Sequence, residues 1–232
     1  RTVAVCNFAC FSPFCGAMVQ FITFEGGEGA GKTTQIRLLQ NYFQQLKIPC
    51  LATREPGDTA LGGLIRKVLL EVSADVIAPV TEVFLYLADR SHHVAHIIVP
   101  AVSAGKIVLC DRFTDSTLAY QGYGRGIDVA WLRELNNAAT GFTRPDLTFL
   151  LDCPVEVGLA RTAERKYEAG KPREDRFERE TIEFHEKVRA GFLGLAQNEP
   201  ARFRIIDAAK SVKESAADIR AIVDREFLNE LR

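Results

Sequence analysis

The chain has 232 residues, 47% of them hydrophobic and 25% charged, with a formal net charge of −1. That balance suits one globular α/β domain able to bury a full core. It gives no general attraction to nucleic acid or to an anionic membrane, and no apolar run approaches the roughly 20 residues that span a bilayer, so the chain reads as a soluble protein whose local arginine and lysine clusters bind a small anionic substrate.

In chain order, residues 1–17 differ from the rest in having no acidic residue and in holding Cys6, Cys10 and Cys15, and Met18 is the sole methionine. We expect a non-core, disordered leader, from an extended start or tag-like, ahead of a domain running from 18 to 232. A targeting peptide is the competing reading, weakened by a lone arginine and the lack of a small-residue cleavage pattern.

The run Val19-Gln20-Phe21-Ile22-Thr23-Phe24 predicts a first strand. Directly after it, Gly26-Gly27-Glu28-Gly29-Ala30-Gly31-Lys32-Thr33 satisfies G-x-x-x-x-G-K-[ST], and from Thr34 onward apolar residues recur at helical spacing. Strand, glycine loop and helix in that order make a phosphate-binding loop. Its backbone N–H groups wrap nucleotide phosphates, its lysine reaches the terminal phosphate oxygens, and its threonine hydroxyl helps to hold Mg²⁺.

Further strands are expected at 48–53, 106–110, 146–151 and 203–206. Helices are expected near 60–72, 80–104, 128–140, 154–167, 178–198 and 211–230. Strands alternating with helices imply a parallel sheet covered on both faces. Cys50, Cys110 and Cys153 sit in apolar strand-like runs without C-x-x-C spacing and read as reduced core residues of a cytosolic protein. His92 and His96 have the i, i+4 spacing of helix metal ligands, but position 93 is histidine rather than glutamate and no third ligand is apparent. His185 reads as a surface or interface residue.

Residues 161–180 are densely charged with both signs and broken by Gly170 and Pro172. Such a run is ordinarily a solvated helix face. Beside a phosphate-binding loop it reads as a mobile lid, because phosphoryl transfer relies on cationic groups that arrive as a lid closes. Arg165, Arg173 and Arg176 are the catalytic candidates there, and the sequence does not choose among them.

Five further motifs accompany the loop: Thr53-Arg54-Glu55-Pro56-Gly57, the segment from Phe84 to Arg90, the segment from Asp111 to Ser116, Ala119-Tyr120-Gln121-Gly122, and Asp175-Arg176-Phe177-Glu178. In this order and spacing the chain resembles the bacterial thymidylate kinase family from about Met18 to the C-terminal helix. The resemblance implies a P-loop fold with a five-stranded parallel sheet, flanking helices and a lid. It implies transfer of the γ-phosphate of ATP, with Mg²⁺, to thymidine monophosphate (dTMP), giving dTDP and ADP. It also implies a cytoplasmic homodimer formed by packing helices.

Roles follow from the same resemblance. The loop residues Gly26 to Thr33, with Thr34, would bind ATP, Lys32 would act in catalysis, and Arg161 would pack on adenine. Arg112 would meet the acceptor phosphate, a task that suits a planar guanidinium, although an ion pair with a nearby carboxylate is the ordinary alternative. Asp111, at a Walker-B-like strand end, would reach Mg²⁺ with Thr33, or else cap the next turn. Arg54 would meet the acceptor phosphate, with Glu55 orienting it or the metal, and Arg66 would lie nearby unless it is a surface residue. Tyr86 would stack on thymine, with Arg90 one helical turn on bonding a carbonyl and Thr117 and Gln121 contacting the other ring polar groups. Tyr120 would crowd the sugar 2′ position, and Glu28 would meet the 3′-hydroxyl.

Two departures from the family stand out. Asp58 replaces a second glycine after Arg-Glu-Pro-Gly, which puts the local turn in doubt. Gly29 stands where one subclass carries a loop arginine, so the chain fits the subclass whose lid supplies that group. The rivals are a kinase for another nucleoside monophosphate, a switch GTPase, disfavoured because N-K-x-D is absent, and a non-catalytic nucleotide-binding regulator.

Overall fold

The computed structural model describes residues 19–71, 76–169 and 176–228, with 165–169 and 227–228 described by backbone alone. The expected leader and Arg173 therefore lie outside the described residues, and Arg165 outside the described side chains.

The five strands are β1 (Phe21–Glu25), β2 (Cys50–Arg54), β3 (Ile107–Asp111), β4 (Leu147–Asp152) and β5 (Phe203–Asp207). They form one parallel sheet in the order β2-β3-β1-β4-β5. The helices are α1 (Lys32–Gln45), α2 (Ala60–Leu70), α3 (Pro79–His93), α4 (Val99–Ser103), α5 (Thr114–Thr117), α6 (Val129–Thr140), α7 (Val155–Ala169), α8 (Ile182–Asn198) and α9 (Val212–Val223). This is the doubly covered α/β architecture that the alternation of strands and helices predicts.

β1 is central, and all five of its residues are buried, as expected of a parallel strand with helices on both faces. Ile22 and Phe24 join Leu109, Phe149 and Ile206 against α1 and α9 through Leu39, Phe43 and Ile219. Phe21, on the opposite face, packs with Val108 and Cys110 beneath Val94, Ile98 and Phe113. The buried hydroxyls of Thr23 and Thr148 satisfy each other at 2.8 Å across β1 and β4. Because the chain leaves β1 between β3 and β4, the crevice beyond the carboxyl ends of these strands is where an open α/β sheet binds ligands.

Two wide turns deserve a physical account. The helix expected over 80–104 is present as α3, a π-helical turn at Val94–Ile98 and then α4. Pro100 has no N–H to give to the preceding turn, and widening the helix just before it relieves that conflict. The second case, α5 with its π-helical continuation Leu118–Gly124, carried no helix in the sequence reading. Gly122 and Gly124 argue against a helix by propensity, yet packing demands them. A Cβ at Gly124 would press on Phe184 and Val188 of α8.

Candidate active site

A cleft of about 630 Å³ opens at the carboxyl ends of β1, β2 and β3. Its floor is the glycine loop. Gly31 takes a left-handed φ of 91° and caps α1, which turns the helix N-terminus toward the space an anion would fill. Lys32 Nζ donates to the Gly26 and Gly27 carbonyls at 3.0 and 2.8 Å. Burial, with Arg112 nearby, lowers the Lys32 amine to about 8 despite the carboxylates of Glu28, Asp111 and Glu25.

Arg112 follows β3 with a positive φ of 69°. A non-glycine residue held there is strained, and such strain persists where the surroundings fix it. Here the fixing contacts are visible. Its guanidinium donates to Glu28 Oε1 at 2.7 Å, the Tyr120 hydroxyl at 3.1 Å, the Gly26 carbonyl at 3.0 Å and Ser116 Oγ at 3.2 Å. The Tyr120 hydroxyl also donates to Glu28 at 2.8 Å. Burial opposes the charge on Glu28, but Arg112 and Lys32 outweigh it and hold the carboxyl at about 2. The ion-pair alternative for Arg112 is thus what the protein alone displays, in a cleft where a phosphate can compete for the same donors.

Behind Arg112 lies a carboxyl that the sequence reading missed. Glu25 accepts from the Phe113 backbone N–H at 2.7 Å and from Ser116 Oγ at 2.6 Å. It thereby shapes the turn that carries Arg112. Burial, reinforced by Asp115, raises Glu25 to about 7.

Thr33 Oγ donates to Asp111 Oδ2 at 2.6 Å, and both residues line the cleft. A hydroxyl and a carboxylate side by side are the hard oxygen donors that Mg²⁺ prefers, with water completing the shell. Glu55 is placed differently from the expected orienter of Arg54 or the metal. Its Oε2 accepts from Arg90 Nε at 2.8 Å and its Oε1 meets His93 Nδ1 at 2.8 Å. Each oxygen thus holds one of these two partners, and Glu55 orients Arg90.

Arg90 is 1% exposed. Besides Glu55, it donates to Thr117 Oγ at 2.8 Å, Asn136 Oδ1 at 2.7 Å and the Phe113 carbonyl at 3.0 Å. A guanidinium has five N–H groups, and the fifth of Arg90 donates to no group among the described residues. Tyr86, Arg90, Thr117, Tyr120 and Gln121 all line the cleft, as do Arg54 and Arg66. Arg66 donates to the Pro56 carbonyl at 2.8 Å. The doubt over Asp58 resolves simply. Gly57 alone takes positive φ, at 112°, and Asp58 accepts a hydrogen bond from Thr53 Oγ at 2.6 Å.

Three further residues of the sequence analysis lie outside the lining of this cleft. Arg161 is not among the lining residues; it donates to the Ala208 carbonyl at 2.7 Å. Arg176 donates to Glu82 at 2.5 Å and to the Leu69 carbonyl at 3.1 Å, away from the glycine loop. His185, expected at the surface or an interface, is 5% exposed on α8, and its Nε2 is unpartnered among the described residues. Of the expected lid, the described parts are the end of α7 and a 3₁₀ turn at Arg176–Arg179.

A glycine loop at the end of a central strand, opening into the same cleft as Tyr86, Gln121 and several arginines, defines a P-loop phosphotransferase acting between nucleotides. A model of the thymidylate kinase family matches residues 24–219. The chain is 52% identical over 205 residues to a thymidylate kinase of Desulfovibrio desulfuricans, covering 88% of this chain and 94% of that one. It is 50% identical over 206 residues to one from Geobacter sulfurreducens, covering 89% and 97%. A crystal structure of thymidylate kinase from Ehrlichia chaffeensis superposes with a TM-score of 0.71 at 31% identity, covering 90% of this chain and all of that one. The chain belongs to the thymidylate kinase family.

Proposed function

We propose that the cleft carries out the family reaction, transfer of the γ-phosphate of ATP to dTMP, with the donor phosphates on the glycine loop and the acceptor between Arg112 and α3. The observation that carries this reading is the meeting of Lys32, Glu28, Arg112 and Tyr120 at one point between the two halves. An oxygen of the dTMP phosphate attacks the γ-phosphorus in line. The new O–P bond forms as the bond to the β-phosphate oxygen breaks, and ADP leaves. No strong general base is needed, since the acceptor phosphate is already largely ionised at neutral pH. Lys32 turns from its loop carbonyls to the transferring group, and Arg112 exchanges Glu28 for phosphate oxygens. Thr33 and Asp111 would hold Mg²⁺, which neutralises charge on the donor phosphates when bound.

On the acceptor side, Tyr86 stacks on the thymine ring, the remaining Arg90 N–H meets a carbonyl, and Arg54 and Arg66 add charge near the phosphate. Glu28, freed from Arg112, accepts from the sugar 3′-hydroxyl. Among the lid candidates, Arg176 serves in the state described here at the base end of the cleft.

The exposed apolar residues Leu61, Leu64 and Val68 on α2, Val80 and Phe84 on α3, and Trp131 on α6 form a patch suited to a homodimer interface. Sedimentation equilibrium tests that assignment. No helix of the described residues is long and apolar enough to cross a membrane; membership of a nucleotide kinase family is what supports a cytoplasmic location.

The test of the reaction is ³¹P NMR of the protein with ATP, Mg²⁺ and dTMP. Growth of dTDP in step with ADP is expected. ADP accompanied by inorganic phosphate, with dTMP intact, contradicts the reading.

A further inference from the structure

Glu82 is a fully buried carboxylate that the scheme above leaves without a task. It stands on α3 one helical turn before Tyr86 and two before Arg90, so the three share a helix face. Its Oε1 accepts from Gln121 Nε2 at 2.6 Å. Its Oε2 accepts from Arg176 Nη2 at 2.5 Å and stands 3.6 Å from Arg125 Nη2. Two guanidinium groups supply the counter-charge that a buried carboxylate requires. A carboxylate so paired only accepts hydrogen bonds.

That one-way character decides which end of the Gln121 amide faces the cleft. Donor and acceptor ends of an amide are nearly the same in shape, and only the network around them fixes the choice. With the NH₂ group held by Glu82, the carbonyl oxygen is the end left for a ligand. It takes no hydrogen bond from the described residues and is not among their sealed, unpartnered atoms, and Gln121 lines the cleft. A carbonyl oxygen pairs with the N3–H of thymine or uracil. Against cytosine it meets the N3 lone pair, which repels it.

Resting on the dTMP reading above, we propose that Glu82 is a specificity-determining positioning residue: by holding the NH₂ of Gln121 it makes the pocket accept a pyrimidine with N3–H and reject cytosine. Arg176 and Arg125 act on this choice through the same carboxylate.

The experiment measures kcat/KM for dTMP, dUMP and dCMP in the wild type, in Glu82→Gln, and in Glu82→Gln combined with Gln121→Ala. Glutamine at 82 can present either amide end, which frees Gln121 to turn. The wild type should favour dTMP and dUMP over dCMP. Glu82→Gln should lower the dTMP to dCMP ratio by about tenfold or more, and it should not change that ratio further once Gln121 is alanine. A purely structural role would depress all substrates together; an unchanged ratio in folded Glu82→Gln overturns the proposal. Where circular dichroism shows that variant unfolded, Glu82→Asp carries the same comparison, because it keeps the charge and shortens the reach to Gln121. A wild type indifferent to dTMP would instead overturn the family reading beneath the proposal.

Discussion

Arg112 Nη2 lies 2.7 Å from Glu28 Oε1, so the turn after β3 is tied to the glycine loop after β1. In the proposed reaction the pair would join the acceptor side of the cleft to the donor side, and Tyr120 reinforces it by bonding both partners. In that reaction a phosphate entering between them would compete for Arg112 and release Glu28 toward the sugar. Arg112→Lys should therefore lower kcat/KM for dTMP by about a hundredfold, because an ammonium cannot grip two oxygens in one plane. Steady-state kinetics check this, and Glu25→Gln should show a smaller loss of the same kind by loosening the turn that carries Arg112.

Lys32→Ala should lower kcat by roughly a thousandfold while leaving dTMP affinity mostly intact, because its charge is spent on the transferring group. Stopped assays for kcat and calorimetric titration for dTMP affinity separate the two effects.

The Lys32 amine sits at about 8 in the protein alone, lowered by burial and by Arg112. Donor phosphates bring negative charge and raise it again. ATP binding near pH 8.5 should thus take up protons, seen as a dependence of the calorimetric enthalpy on the ionisation enthalpy of the buffer. No such dependence in the wild type, or an equal one in Lys32→Ala, contradicts the assignment.

Gly29 and Gly158 meet backbone to backbone where the glycine loop crosses α7. A Cβ on either would overlap the carbonyl oxygen belonging to the other side, of Gly158 or of Glu28. Helix propensity alone would make Gly158→Ala stabilising by about 1 kcal/mol. The clash should win, with a net loss of about 1–3 kcal/mol and a lower melting temperature. The same contact, with φ at 67°, leaves no ready place for an arginine at position 29.

Glu25 gives a stability signature in pH. Its carboxyl is raised from 4.5 to about 7 by burial and by Asp115. The protonated form is favoured in the folded state, so its contribution is fully present below 4.5 and is lost as pH rises through 7. Asp89, raised to about 6 by burial and by Glu55, acts in the same direction. Together they should make the wild type less stable at pH 8 than at pH 5, by on the order of 3 kcal/mol from Glu25 alone. Denaturant melts at the two pH values should show a flatter dependence in Glu25→Gln.

The glycine loop was legible because its chemistry is written in eight adjacent residues with a strand before and a helix after. Arg112, Tyr120 and Gln121 were legible through their motifs, and the structure brings them to one cleft. What escaped were partners supplied from a distance. Asn136 reaches Arg90 from α6, Glu25 reaches the Phe113 turn from β1, and Glu55 serves Arg90 and His93 rather than Arg54. The spacing of 82, 86, 90 and 93 along one face of α3 was the available signal for Glu82 and His93. The helix around Leu118–Gly124 had none, since Gly122 answers to α6 and Gly124 to α8 rather than to their own propensity.

The most direct test of this account is a crystal structure of the protein with dTMP and a non-hydrolysable ATP analogue. It should show thymine against Tyr86 with N3 at the Gln121 carbonyl, the dTMP phosphate on Arg112, and the terminal phosphate of the analogue on Lys32. A thymine ring bound away from α3, or an acceptor phosphate out of reach of Arg112, would contradict it.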